Sequence, residues 1–310
     1  MQYIDLNTLT PNKIINTEPL YVSIKNHIDT EKLRLVNEKA EKGNEVFVLI
    51  FLSKGVTMSI LTQLTNVRHI SLLPTYDNPL ESLNELTNLD LKSLRLGQST
   101  KKTISFKSIS SKKLEFLEFL EGLGNKSQHD FVNLQTNLQK LHLKSLDLSL
   151  IKKNEKLTEL YIHSSLKSEA LLGEKFPHLR NLSLFALSKL TTHSFITDLE
   201  DLENVNISYN SHLVNFPKLK NPKKIKSIEM YTCPNFNDVE SLLRYENLER
   251  LVLTSHDKPL KINVEDFAKL KQLPKLKTLY SVWGKKPKAE LDKIENLYAE
   301  TGWINSALNL

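Results

Sequence analysis

The nine residues from Leu202 to Asn210 read L-E-N-V-N-I-S-Y-N, apolar at Leu202, Val205 and Ile207 and closed by asparagine three places later. The same frame returns at Ile225, Ile228 and Met230, closed this time by Cys233. Its first apolar position recurs at Val67, Leu91, Leu114, Leu138, Leu157, Leu179, Leu202, Ile225, Leu248 and Leu276, in steps of 24, 23, 24, 19, 22, 23, 23, 23 and 28 residues. A leucine-rich amphipathic helix matches such a frame once or twice, but it does not hold phase from Val67 to Leu276. A unit this short makes one strand and one return segment and cannot bury its apolar side alone. The units must stack, which predicts a parallel sheet with strands about 4.8 Å apart over a shared leucine core.

The pattern L-x-x-L-x-L-x-x-N/C across Val67 to Gly284 resembles the leucine-rich repeat superfamily, whose repeats run about 20 to 29 residues. The closing positions hold Thr75, Ser99, Gly122, Leu146, Ser165, Leu187, Asn210, Cys233, His256 and Gly284. Only Asn210 and Cys233 match the consensus, so the chain reads as a divergent member; its Lys- and Asn-rich, cysteine-poor composition reads as bacterial, and a cytoplasmic setting is expected. The resemblance implies an α/β leucine-rich repeat solenoid, with a curved parallel sheet on the concave side and mixed short helices and loops on the convex side. Residues 1–66 are expected to form an N-terminal cap with an incomplete first repeat. Residues 67–284 hold about ten repeats in one cooperative solenoid, and 285–310 form a C-terminal capping helix.

Near the start, Leu20, Val22 and Ile24 alternate with polar positions as a strand does. Asp29 or Thr30 can cap a helix over Leu33, Val36 and Ala40 that stops at Gly43. Phe47, Ile50 and Leu52 are read as the apolar frame of the next segment. The return segments Val239–Asn247 and Val264–Leu273 carry helical spacing, while earlier ones, richer in Ser, Thr, Asn and Lys, read as looser. Pro287 opens a helix with Leu291, Ile294, Leu297 and Tyr298 on one face and Gly302 beyond its end, and with Trp303 it covers the last coil.

Composition narrows the function classes. The apolar fraction of 40% and charged fraction of 25% are those of a globular chain. No apolar run approaches the roughly 20 residues of a membrane span. The first twenty residues lack the basic start and apolar centre of a secretory signal, and with a single cysteine this points to a reducing, cytoplasmic setting. Of the 42 basic residues only six are arginine, so the formal charge of +6 is mostly a lysine surplus. Lysine lacks the planar fork that reads phosphate and guanine, so a solvated surface explains the surplus better than nucleic-acid binding. The cluster Lys218, Lys220, Lys223, Lys224 and Lys226 falls in a return segment and reads the same way. No phosphate-binding glycine loop, nucleophile elbow or paired metal-ligand motif is present, so no enzyme, metal or cofactor is expected. Glu118 and His142 fall side by side and could exchange a proton, but a surface ion pair explains them equally well. Cys233 and His256 are expected to be core side chains.

If the leucines face inward, the residues between them line up outward in three columns. The first includes Phe116, Lys140, Glu159, Asn204 and Arg250; the second Arg95, Glu118, His142, Tyr161, Glu229 and Tyr280; the third Lys144, His163, Phe185, Ser208 and Tyr231. Exposed rings among mixed charges have the composition of a protein-binding hot spot. The alternative is that the rings stabilise the sheet as cross-strand pairs, worth about 0.2 to 1 kcal/mol each. The expected binding residues are Lys140, His142, Lys144, Glu159, Tyr161, His163, Phe185, Glu229, Tyr231, Arg250 and Tyr280. Concave-face protein binding is what the superfamily resemblance implies. By analogy of fold, the specific expectation is a monomeric immunity protein that occludes a cognate bacterial toxin, touching neither nucleic acid nor membrane. A secreted effector or adhesin-like protein that binds a host protein is the alternative.

Overall fold

The computed structural model describes residues 2–304, so the part of the expected C-terminal cap in residues 305–310 lies outside the described residues. The chain forms two compact units, Met1–Ser145 with Leu150–Lys152, and Leu146–Ser149 with Lys153–Leu310.

In the first unit the strands are β1 (Ile4–Asp5), β2 (Leu20–Ile24), β3 (Val46–Phe51), β4 (His69–Leu73), β5 (Ser93–Leu96), β6 (Phe116–Phe119) and β7 (Lys140–Asp147). Each pairs parallel with the next in chain order. The second unit repeats this with β8 (Glu159–Lys167), β9 (Asn181–Phe185), β10 (Asn204–Ser208), β11 (Ser227–Tyr231), β12 (Arg250–Thr254) and β13 (Thr278–Val282). All ten first-frame positions from Val67 to Leu276 are buried. In the second unit the register sets Asn204 beside Ser227, Asn206 beside Glu229 and Ser208 beside Tyr231, as the outward columns require.

The N-terminal segment supplies three strands to the first unit's sheet. Helix α1 covers Pro11–Asn16, and α2 (Thr30–Glu41) is capped by Asp29, which accepts from the Lys32 N–H; Gly43 follows at φ 86°. Leu33 and Val36 are buried, together with Lys39, whose ammonium meets Glu18 at 3.1 Å. The frame read for β3 is corrected here: Val46, Val48 and Ile50 face inward, while Phe47 is half-buried on the outward face, stacked on Tyr21 and His69. The run V-F-V-L-I-F is apolar on both faces, so periodicity could not choose between them.

Return segments also depart from expectation. Helix α3 (Lys126–Leu134) occupies one that had read as loose. Its start is a capping box in which Asn125 accepts from the Gln128 N–H while the Gln128 amide oxygen accepts from the Asn125 N–H. The short helix α4 spans Leu172–Lys175. A 3₁₀ turn over Val239–Leu242 and helix α5 (Val264–Ala268) occupy the segments expected to be helical. Helix α6 (Lys288–Thr301) buries Ile294 and Leu297, and Gly302 caps it at φ 69°. Beyond it, Ile304 pairs parallel with Thr278 of β13.

The closing positions are filled in several ways. Asn210 is buried; its amide donates to the carbonyls of Leu187 and Leu190 and its oxygen accepts from the His212 and Leu213 N–H groups. One repeat on, the Cys233 thiol donates to the Ile207 carbonyl at 3.4 Å. His256 is not a core histidine. Ser255 stays in register, its N–H donating to Val282, so Ser255 takes the buried place and His256 turns to solvent.

Three lysines of the cluster pair with acids between coils. Lys220 meets Glu200, Lys224 meets Asp201 and Lys226 meets Glu203, each acid one repeat earlier. Just before the strands of the second unit, the residues Arg180, Glu203, Lys226, Glu249 and Lys277 alternate in sign. Backbone bonds hold them side by side: Glu203 donates to Arg180, Lys226 to Glu203, Glu249 to Lys226 and Lys277 to Glu249.

Candidate protein-binding faces

Of the expected binding residues, Lys140, His142 and Lys144 lie on β7 and belong to the first unit. His142 Nδ1 is 3.4 Å from Glu118, whose other partner is the Arg95 guanidinium at 3.0 Å. Burial alone would raise the Glu118 carboxyl, but the bonds from His142 and Arg95 carry it below its ordinary value. Phe116 lies between them, under Arg95 at 5.4 Å and edge-on to His142 at 4.9 Å. Lys144 meets Glu121 at 3.5 Å.

The remaining residues lie on the second unit. Glu159, Tyr161 and His163 sit on β8, Phe185 ends β9, Glu229 and Tyr231 are on β11, Arg250 opens β12 and Tyr280 is on β13. All are half-buried and point outward, since their strand neighbours fill the core. Two clusters form. His163 stacks on Phe185 with centroids 4.7 Å apart and planes at 16°, and Phe185 meets Tyr209 at 4.8 Å. Separately, Glu229 accepts from Arg250 at 2.8 Å and from the Asn206 amide at 3.1 Å. Tyr231 Oη and Arg250 Nη2 beside it are buried without hydrogen-bond partners among the described residues. Burial, with Glu229 nearby, raises the Tyr231 hydroxyl above its ordinary pKa. Tyr280 stands apart from these groups beside Val252, which is fully buried although it belongs to an outward column.

Tyr209 was not among the expected residues. It follows the last residue of β10 with φ 54°, and Ala186 and Thr232 in the flanking repeats share that left-handed turn. Its ring is 54% exposed. The one sequence signal was its place directly before the closing Asn210, where the strand must turn.

Thirteen parallel strands in two units, an apolar triplet inward from nearly every strand, and short helices or 3₁₀ turns between them define an α/β leucine-rich repeat fold. No protein-family model matches the chain, and no curated protein does. Among solved structures, a leucine-rich repeat protein of Leptospira interrogans is similar at 16% identity, covering 94% of this chain and 96% of that one with a TM-score of 0.38. The fold assignment rests on the repeat geometry of the chain itself. Leucine-rich repeat folds are typically scaffolds for binding proteins and not for catalysis. No helix among the described residues is long and apolar enough to cross a membrane.

Proposed function

We propose that the protein is a non-enzymatic binding module whose second unit captures another protein on the outward face of its sheet. The observation that carries this is the row His163, Phe185 and Tyr209. A left-handed conformation costs a non-glycine residue roughly 1 to 2 kcal/mol. Ala186 and Thr232 make the same left-handed turn without a ring, so the turn belongs to the position and does not by itself call for Tyr209. A half-exposed ring beside two others is what a partner's apolar anchor fits. The network of Asn206, Glu229 and Arg250 supplies polar groups for register. Glu159, Tyr161 and Tyr280 complete the face on β8 and β13, and Lys140, His142 and Lys144 extend the proposal to the first unit. The specific form we favour is a cytoplasmic immunity protein that occludes the active site of a cognate bacterial toxin. Its support is analogy of fold together with the near balance of charge among these residues.

Affinity capture from the source organism, read by mass spectrometry, tests this reading. One partner is expected in equimolar amount, encoded beside this gene if it is a toxin. The double substitution Tyr161→Ala and Phe185→Ala should abolish capture while circular dichroism stays nearly unchanged and Tm falls by only a few degrees, the cost of the lost ring pairs. Undiminished capture by that variant would move the interface to a return segment or a sheet edge.

A further inference from the structure

Glu45, Arg68, His69 and Lys92 line a cleft of about 80 Å³ beside the starts of β3, β4 and β5, bounded also by Gly43 beyond the end of α2. The N–H groups of Lys92 and Ser93 both donate to the Arg68 carbonyl, at 2.8 and 3.0 Å, which fixes Arg68 and Lys92 on adjacent coils. Two polar groups there lack a partner among the described residues, and Lys92 is held only loosely. The Arg68 guanidinium has no ion pair or hydrogen bond among the described residues. Lys92 reaches Glu115 only at 3.7 Å. His69 Nδ1 is buried without a partner. Burial holds the His69 imidazole below its ordinary pKa, against Glu45 and Glu115 and together with Lys92 and Arg68, so near pH 7 it is neutral.

Next to the cleft, the outward face of β2 to β4 is mostly apolar, with Ser23 and Ser71 in its middle column. Tyr21 stacks on Phe47 at 4.6 Å and 12°, and Phe47 on His69 at 4.2 Å and 28°. Leu49, Phe51 and Leu73 are half-buried in the adjoining columns. Because the rings cover one another's faces, they show solvent mainly their edges, which suits aliphatic or aromatic side chains and leaves little face for a nucleobase to stack on. His69 belongs to both features, ending the ring row and lining the cleft.

Size and charge then select the occupant. A cleft of 80 Å³ has room for about two or three waters, hence for a carboxylate and its methylene but not for a nucleotide. Its lining carries two cations and one carboxylate, which favours a single negative charge over a doubly charged phosphate ester. We propose that this is a docking surface of the first unit for a protein segment with an acidic residue beside an apolar one. The carboxylate enters the cleft between Arg68 and Lys92, beside the His69 ring, and the apolar side chain lies along Phe47. This proposal is independent of the binding face on the second unit and stands or falls separately.

The test uses the full chain with N-acetyl-L-phenylalanine, which joins a carboxylate to a ring, and its uncharged amide as control. NMR of the histidine rings, with His69 assigned by His69→Gln, reads the binding. The acid should shift the His69 signals saturably with a Kd in the millimolar range and bind about tenfold more tightly than the amide. Arg68→Gln and Lys92→Gln, each exposed enough to leave the fold intact, should each weaken the acid about fivefold without changing the amide. Phe47→Ala should weaken both probes. Equal affinity for acid and amide, or an unmoved His69 at concentrations up to about 20 mM acid, overturns the proposal.

Discussion

Asn210 and Cys233 occupy the same place in successive repeats and serve a backbone need by different chemistry. Asn210 satisfies four main-chain groups, so Asn210→Ala should destabilise the fold by about 2 kcal/mol, read by urea unfolding, because buried donors and acceptors lose their partner. Cys233 is 1% exposed, and burial pushes its thiol up to about 12. It should resist iodoacetamide at pH 8 in the native protein and react only after unfolding. The Asn210 amide also faces His193 Nε2 at 3.3 Å, and burial, then His212, holds His193 down to about 4. Between pH 6.5 and 4 the unfolded chain binds a proton at His193 that the folded one does not, so stability present above 6.5 is lost as pH falls through that window. The loss should be on the order of 3 kcal/mol, and His193→Gln should flatten that part of the profile.

Among whole elements, what the amino-acid pattern revealed depended on whether one face was polar. From β4 onward, leucine alternates with Ser, Arg, Glu, Lys or Asn, and the inward and outward sets separate by residue type in most strands; on β12, Val252 breaks the pattern. In β3 both faces are apolar, and Phe47 could be assigned only once Tyr21 and His69 were seen on either side of it. Helix α3 was announced by Asn125 and Gln128, a local signal outweighed by the surrounding polar residues. The site was legible as columns because strand period is geometric, and Phe185 and His163 meet as their positions implied. Tyr209 was not, since its exposure follows from a backbone turn with no period. The end of β13 gives a sharper case. Gly284 has φ 61°, and a Cβ there would lie 2.9 Å from the Lys258 carbonyl carbon and closer still to its oxygen. Gly284→Ala should therefore cost more than about 2 kcal/mol in chemical denaturation, combining strain with overlap.

For the molecule as a whole, a formal charge of +6 suggested a lysine-coated surface, but the charges are arranged more closely than a sum can show. Pairs such as Lys226 with Glu203 and Lys277 with Glu249 join residues more than twenty positions apart, which register alone brings together. Each is exposed and worth about 1 kcal/mol or less, so they contribute little to the total stability. The alternation of Arg180, Glu203, Lys226, Glu249 and Lys277 nonetheless gives the repeat array a parity. Excising the single coil that carries Lys226 would set Glu203 against Glu249, while excising two would set Glu203 against Lys277. The odd deletion should become more stable as salt is added and the even one less, which thermal melts at low and high ionic strength would show. Such a chain could gain or lose coils more smoothly in twos than singly.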